Sequence, residues 1–221
     1  MKKSTLLAAS AASLIALTAS TAATADIDWN VSPYVGADVQ IRHVKFGHHF
    51  GNKRFKKNYP QANLFAGIKF CDFLGIELGY ETTTNKSRTV TLGTPPIKTN
   101  SSARFRGPHA DLVGFLPIFN ECNLHLLGYV GIAHLKASLK QYDVLANGIS
   151  PARTFNKHKS VLRLGAGVQH MINDCWGVRA LVGWEKTKFN LVQNQPAATP
   201  QRVKLKNSYS YGLGAFYSFS L

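Results

Sequence analysis

The 221-residue sequence carries 26 Lys+Arg against 11 Asp+Glu, a formal charge of +15, yet only 17% of its residues are charged. That is too few charges for a disordered polyelectrolyte, and three Cys are too few for a disulfide-dense scaffold. With 18 Gly and 24 aromatic residues the composition also excludes collagen-like, coiled-coil and zinc-ribbon classes, leaving a basic globular or membrane β protein.

In chain order, Lys2 and Lys3 precede an apolar run from Leu6 to Leu17 that is diluted by Ala and Ser. Ala23-Thr24-Ala25 then supplies a small-x-small cleavage site before Asp26. Residues 1–25 read as a cleaved secretory signal peptide of bacterial character. The apolar run is shorter than the ~20 residues a spanning helix needs. Residues 26–221 then form one domain.

From there the pattern has a period of two, the repeat of a β-strand. Val35, Ala37, Val39 and Ile41 alternate with Gly36, Asp38, Gln40 and Arg42. The same alternation runs through Leu64–Phe70, Leu74–Tyr80, Ala110–Leu116, Leu162–Val168, Trp176–Trp184 and Tyr209–Leu221. Residues 124–135 are apolar but alternate weakly, so their face is open. This predicts an all-β fold of eight antiparallel strands. Short connections lie near 71–73, 117–123 and 173–175, and long ones near 45–60, 82–106, 136–159 and 186–206. One face of each strand is apolar or aromatic; the other carries Gly, Ser and isolated charges. A soluble β-sandwich would put Lys, Glu and Thr outside. The pattern here is the inverse, as expected of an eight-stranded transmembrane β-barrel with short periplasmic turns and long extracellular loops.

The final alternation, Tyr217, Phe219, Leu221, resembles the terminal strand that bacterial outer-membrane proteins present to their assembly machinery, with Leu in place of the usual last aromatic. The stretches FLGIELGYE, HADLVGFLPI and WGVRALVGWE resemble the small eight-stranded barrels of the outer membrane protein A transmembrane domain and the opacity-protein family. The resemblance implies a monomeric barrel in the bacterial outer membrane and a partner in the barrel assembly machinery. No further domain is expected after the last strand.

Of the 24 basic residues after the signal peptide, 20 fall in the long connections. They are Lys45, Lys53, Arg54, Lys56 and Lys57; Lys86, Arg88, Lys98, Arg104 and Arg106; Lys136, Lys140, Arg153, Lys157 and Lys159; and Lys186, Lys188, Arg202, Lys204 and Lys206. Asp143 alone opposes them, while the short turns hold Asp72, Glu121 and Asp174. A positive outer rim would meet lipopolysaccharide phosphates, or another anionic or host-surface ligand, through salt-sensitive charge-assisted contacts. The remaining charges, Asp38, Arg42, Lys69, Glu77, Glu81, Asp111, Arg163, Arg179 and Glu185, point inward by alternation. An eight-stranded barrel is just wide enough for side chains to fill it, and buried charges need partners. These nine are expected to form a salt-bridged plug centred on Arg179 and Glu77. In the resembled family such a network closes the barrel or leaves a narrow path.

Other chemistry is thinly signalled. Cys71, Cys122 and Cys175 each fall in a short turn, as free thiols or, in an oxidising periplasm, one bridge. His48 and His49, with His43 nearby, have no carboxylate in their loop, and no metal or cofactor is expected. An outer-membrane enzyme needs a nucleophile beside its base. His109 and Asp111 share a strand face, but the His-x-Ser-Asn signature of the resembled deacylases is absent, and no enzyme is expected. The sequence therefore predicts a structural or adhesive surface barrel, with a narrow-pore channel as the alternative and a lipid-modifying enzyme third.

Overall fold

The computed structural model describes residues 31–47, 54–92, 97–119, 123–145, 148–192 and 202–219. Residues 1–25, expected to be a signal peptide, and His48, His49, Lys53 and Cys122 lie outside the described residues. The strands are β1 (Ser32–Phe46), β2 (Asn58–Cys71), β3 (Leu74–Thr83), β4 (Lys86–Leu92), β5 (Ile97–Phe119), β6 (Leu124–Leu145), β7 (Gly148–Ile149), β8 (Arg153–Met171), β9 (Trp176–Glu185), β10 (Phe189–Val192) and β11 (Arg202–Ser218). Eight of them form a ring of antiparallel pairs. β1 joins β2, β2 joins β3, β3 joins β5, and β5 joins β6. The ring continues from β6 to β8, β9 and β11, and β11 returns to β1. The short strands β4, β7 and β10 pair with β5, β6 and β11 at the end away from the short turns.

The lower half of the ring is built for lipid. Val39, Leu64, Leu78, Ile132, Val182 and Leu213 project outward and are among the most exposed large apolar side chains. Trp176, Tyr217 and Phe219 pack edge to face at 5.2 and 5.0 Å beside the 172–175 turn, an interfacial aromatic cluster. Trp184, at the other end of β9 and on the same face of the strand as Trp176, is buried; Leu164 and Tyr209 flank it in register.

The long connections expected from sequence are in large part strand. β5, β6, β8 and β11 run on through most of 97–106, 136–145, 153–159 and 202–206. Alternation persists there with its sign reversed. Ala103, Phe105, Leu135, Ala137, Leu139 and Phe155 point into the barrel, while Arg104, Lys140 and Lys204 point out. Beyond the membrane the outer wall faces water, so charged residues belong outside and apolar ones inside. A β-bulge completes the switch on β11. Val44 pairs with Ser208 but Phe46 pairs with Leu205, so one extra residue lies on β11. Leu205 and Ser208 therefore both face inward.

The interior is layered. Nearest the short turns lies an aromatic layer of Tyr34, Phe65, Phe115, Leu127, Tyr129 and Phe216. Pairing with β5 and β8 settles the face of residues 124–135: Leu127, Tyr129, Ala133 and Leu135 point in. Glycines make room for two of the rings. A Cβ at Gly67 would lie 2.4 Å from the Tyr34 ring, and one at Gly165 would lie 2.2 Å from the Tyr129 ring. Charged and amide side chains fill the middle. The extracellular half encloses a second apolar layer that includes Val44, Phe46, Phe55, Tyr59, Phe105, Leu139, Phe155 and Leu205.

The extracellular wall has a seam between β8 and β10. β8 pairs with β9 only up to Arg163, opposite Glu185, and the Lys186 amide then donates to the Leu162 carbonyl. Above that point β10 pairs with β11, and two lysines bridge the β8–β10 interval. Lys157 Nζ donates to the Asn190 carbonyl and Lys159 Nζ to the Lys188 carbonyl, each at 3.0 Å.

Candidate functional site

Period-two geometry places Asp38, Arg42, Glu77, Glu81, Asp111, Arg163, Arg179 and Glu185 on the inner wall, where each is at most 5% exposed. They form two linked groups. In the first, Arg179 Nε and an Nη hold the two Asp38 oxygens at 2.8 Å each. Its other Nη reaches Glu77 Oε1 at 2.7 Å, and its guanidinium lies 3.6 Å from the Phe65 ring centroid. Tyr34 donates its hydroxyl to Glu77 at 3.0 Å.

In the second group, Arg42 reaches Glu81 at 2.6 Å and also contacts Glu185. Arg163 lies 3.6 Å from Glu81 and 3.3 Å from Asp111. His109 Nδ1 is 2.9 Å from Asp111. Gln61 donates to Glu81 at 2.9 Å, and Ser208 donates to Glu185 at 3.1 Å. Asn63 joins the groups, donating to Asp38 at 2.9 Å while its carbonyl oxygen meets His109 Nε2 at 2.8 Å. Carboxylates at separated depths thus share three guanidiniums, the arrangement that buried charge requires.

Lys69 stands apart from the nine residues expected in the plug. It lies at the short-turn mouth, 3.6 Å from Asp72 and over the Phe115 ring at 5.3 Å. Alternation gives a residue's face but not its depth, and Lys69 sits below the aromatic layer. The neutral partners Tyr34, Gln61, Asn63 and Ser208 were not singled out from sequence; their signal is position on the same inward parity as the charges.

The cavity among Asp38, Asn63, Glu77, His109, Asp111, Arg163 and Arg179 measures about 10 Å³, room for no more than about one water. His109 and Asp111 do meet, but the second nitrogen of His109 is taken by Asn63, and both side chains are buried. Among the described residues no group of three or more His, Cys, Asp or Glu could hold a metal ion. His43 instead contacts Asn58 at 2.6 Å. Cys71 and Cys175 are free thiols.

The second candidate region is the extracellular outer wall. Lys45, Arg104, Lys140, Lys204 and Lys206 project outward from strands, and Lys56, Lys57, Lys186 and Lys188 are exposed in connections. Arg54 is half-buried at the mouth, beside Asp143 and Arg153. Lys157 and Lys159 serve the seam. Asp143 turns inward, accepting from Thr99 at 2.6 Å and lying 3.7 Å from Arg153. Among the described residues, no acid faces outward above the apolar band.

The family model for the outer membrane protein beta-barrel domain matches residues 9–219. Among solved structures the chain is similar to the outer membrane protein OprG from Pseudomonas aeruginosa, at 15% identity over 88% of this chain and 98% of that one, with a TM-score of 0.58. It is also similar to a major outer membrane protein from Thermus thermophilus, at 14% identity over 86% of this chain and 99% of that one, with a TM-score of 0.54. Neisserial surface protein A gives 13% identity over 86% and 97%, with a TM-score of 0.52. At these identities the likeness is one of fold. No curated protein matches the chain by sequence. An eight-strand ring, apolar toward lipid and charged within, together with a family match over nearly the whole sequence, makes this chain a member of the outer membrane protein beta-barrel domain family, residing in the bacterial outer membrane.

Proposed function

We propose that the protein is a closed, monomeric surface barrel of structural or adhesive type, whose basic extracellular wall binds polyanions such as lipopolysaccharide or an anionic host glycan. The carrying observation is the unopposed positive outer wall: outward Lys and Arg with no described acid on that face. A folded domain that needed only solubility would intersperse both signs. The lumen supports the closed reading over the channel alternative. Apolar layers lie on either side of the charge network, and the cavity between its charges holds about one water. The buried His109–Asp111 pair, spent on Asn63 and Arg163, gives the enzyme reading little support. The closed ring of pairs leaves no free strand edge in the membrane, which favours a monomer. The same reading includes removal of residues 1–25 on export and delivery by the barrel assembly machinery.

The test joins two measurements on the refolded chain. Planar-bilayer recording is expected to be silent, and immobilised heparin or lipopolysaccharide is expected to retain the protein until salt releases it. Discrete openings altered by lumen charge substitutions would make it a channel. Passage through both matrices at low salt would remove the polyanion reading.

A further inference from the structure

The outer wall is not uniformly basic, and one row of it is built differently. On β5, β6 and β8 the last apolar row facing lipid is Ala110, Ile132 and Leu162, which are direct register partners. The next outward residues are His134 and Ser160, again partners, with His134 Nδ1 3.2 Å from the Ser160 hydroxyl. One row higher, Arg106 faces Lys136, and Lys136 faces His158. The rings of His134 and His158 lie 5.8 Å apart at 31°. Arg104 stands beside this row, held to the Thr82 hydroxyl at 3.2 Å.

Like charges directly opposite across a strand pair are destabilising, because their Cβ atoms are only ~5 Å apart. No carboxylate on this face, among the described residues, offsets Arg106 against Lys136. A bound anion would. Its height is set by the strand: two rows of about 7 Å each along the strand, less on a tilted one, separate it from Ile132. That is the layer directly above the hydrocarbon, where headgroup phosphates of the outer leaflet lie.

We infer that Arg106, Lys136 and His158, flanked by Arg104 and His134, form a binding site for a phosphate of the glycolipid anchor of lipopolysaccharide. Resting on the polyanion reading, this assigns one ligand and one place on the wall. Arg106 supplies a planar fork for two phosphate oxygens, and Lys136 supplies a point charge. The two imidazoles offer ring nitrogens as further donors. The acyl chains of the same molecule would lie on Ala110, Ile132 and Leu162, so the site takes a lipid in preference to a free anion.

The experiment measures retention of bis-phosphorylated lipid A by the full folded protein in detergent, using native mass spectrometry. Dephosphorylated lipid A and inorganic phosphate are the comparison probes. R106Q/K136Q is compared with K204Q/K206Q, which removes the same charge from β11. Heat-dependent gel migration checks that both are folded. The expected result is about a tenfold loss of lipid A affinity in R106Q/K136Q, only about two- to threefold in K204Q/K206Q as the wall's general charge thins, and weak retention of dephosphorylated lipid. Equal losses in both variants would overturn the site while leaving a diffusely polyanion-binding wall intact. Full displacement of lipid A by millimolar inorganic phosphate would overturn the lipid assignment. Failure of the wild type to retain either lipid A or heparin would overturn both readings together.

Discussion

Arg179 is the side chain whose removal the lumen should tolerate least. It makes three charge-assisted bonds of 2.7–2.8 Å to Asp38 and Glu77 and covers the Phe65 ring. Arg179→Met keeps much of the packing volume and removes the charge. Two buried carboxylates then lose their only guanidinium. Taking away one partner of a buried pair costs about 3–5 kcal/mol. Asn63 still donates to Asp38 and Tyr34 to Glu77, which places the expected loss toward the lower end, about 3 kcal/mol. Neutralising the orphans should reverse most of it. The triple variant Arg179→Met/Asp38→Asn/Glu77→Gln is expected to fall within about 1–2 kcal/mol of the wild type, since a matched apolar or neutral set is often as stable as the ion pairs. Reversible urea unfolding in lipid vesicles, followed by tryptophan fluorescence, reads both. An unchanged midpoint for the single variant would refute the idea that Arg179 holds the network. A triple variant no better than the single one would show that shape, and not charge, was lost.

Two further outcomes follow from the wall and the turns. Leu162 directs its carbonyl toward Lys186, so by strand alternation the amides of Asn156, His158 and Ser160 point at the seam. In hydrogen exchange they should lose protection well before those of Leu164 and Ala166, whose strand is paired on both sides; equal protection would mean the seam is closed by a regular ladder. In a Cys122→Ser background, a maleimide should label half-exposed Cys175 at least about tenfold faster than buried Cys71, and comparable rates would contradict the packing of the 71–74 turn.

The ring itself was legible because lipid and lumen impose opposite polarities on alternate residues, and Val35–Arg42 or Trp176–Glu185 carry that contrast without interruption. The extracellular extensions were hidden by the same rule. Ser101–Arg106 alternates as regularly as any membrane strand, but its apolar residues point inward, so a reading tuned to lipid sees only a basic loop. The bulge between Leu205 and Ser208 hid the end of β11, since one extra residue exchanges the two faces. The lumen charges were identified by face alone. Which of them meet depends on their height around a tilted ring, and this separates Lys69 from the rest and brings in Asn63 and Gln61, whose neutral side chains carry no charge to mark them.

The reversal of polarity along the barrel also gives the molecule a waterline. Sinking by two rows of side chains would carry Arg106, Lys136 and their counterparts around the circumference into hydrocarbon, and rising by as much would lift the apolar band into the headgroups. Both displacements are opposed at once, on every stave. The depth of insertion is therefore written into the wall itself, and a bilayer of another thickness would have to stretch or thin to meet it. The cationic collar has a second effect, on history: once it has passed through the membrane during assembly, the same charges that were costly to carry across hold the barrel from slipping back.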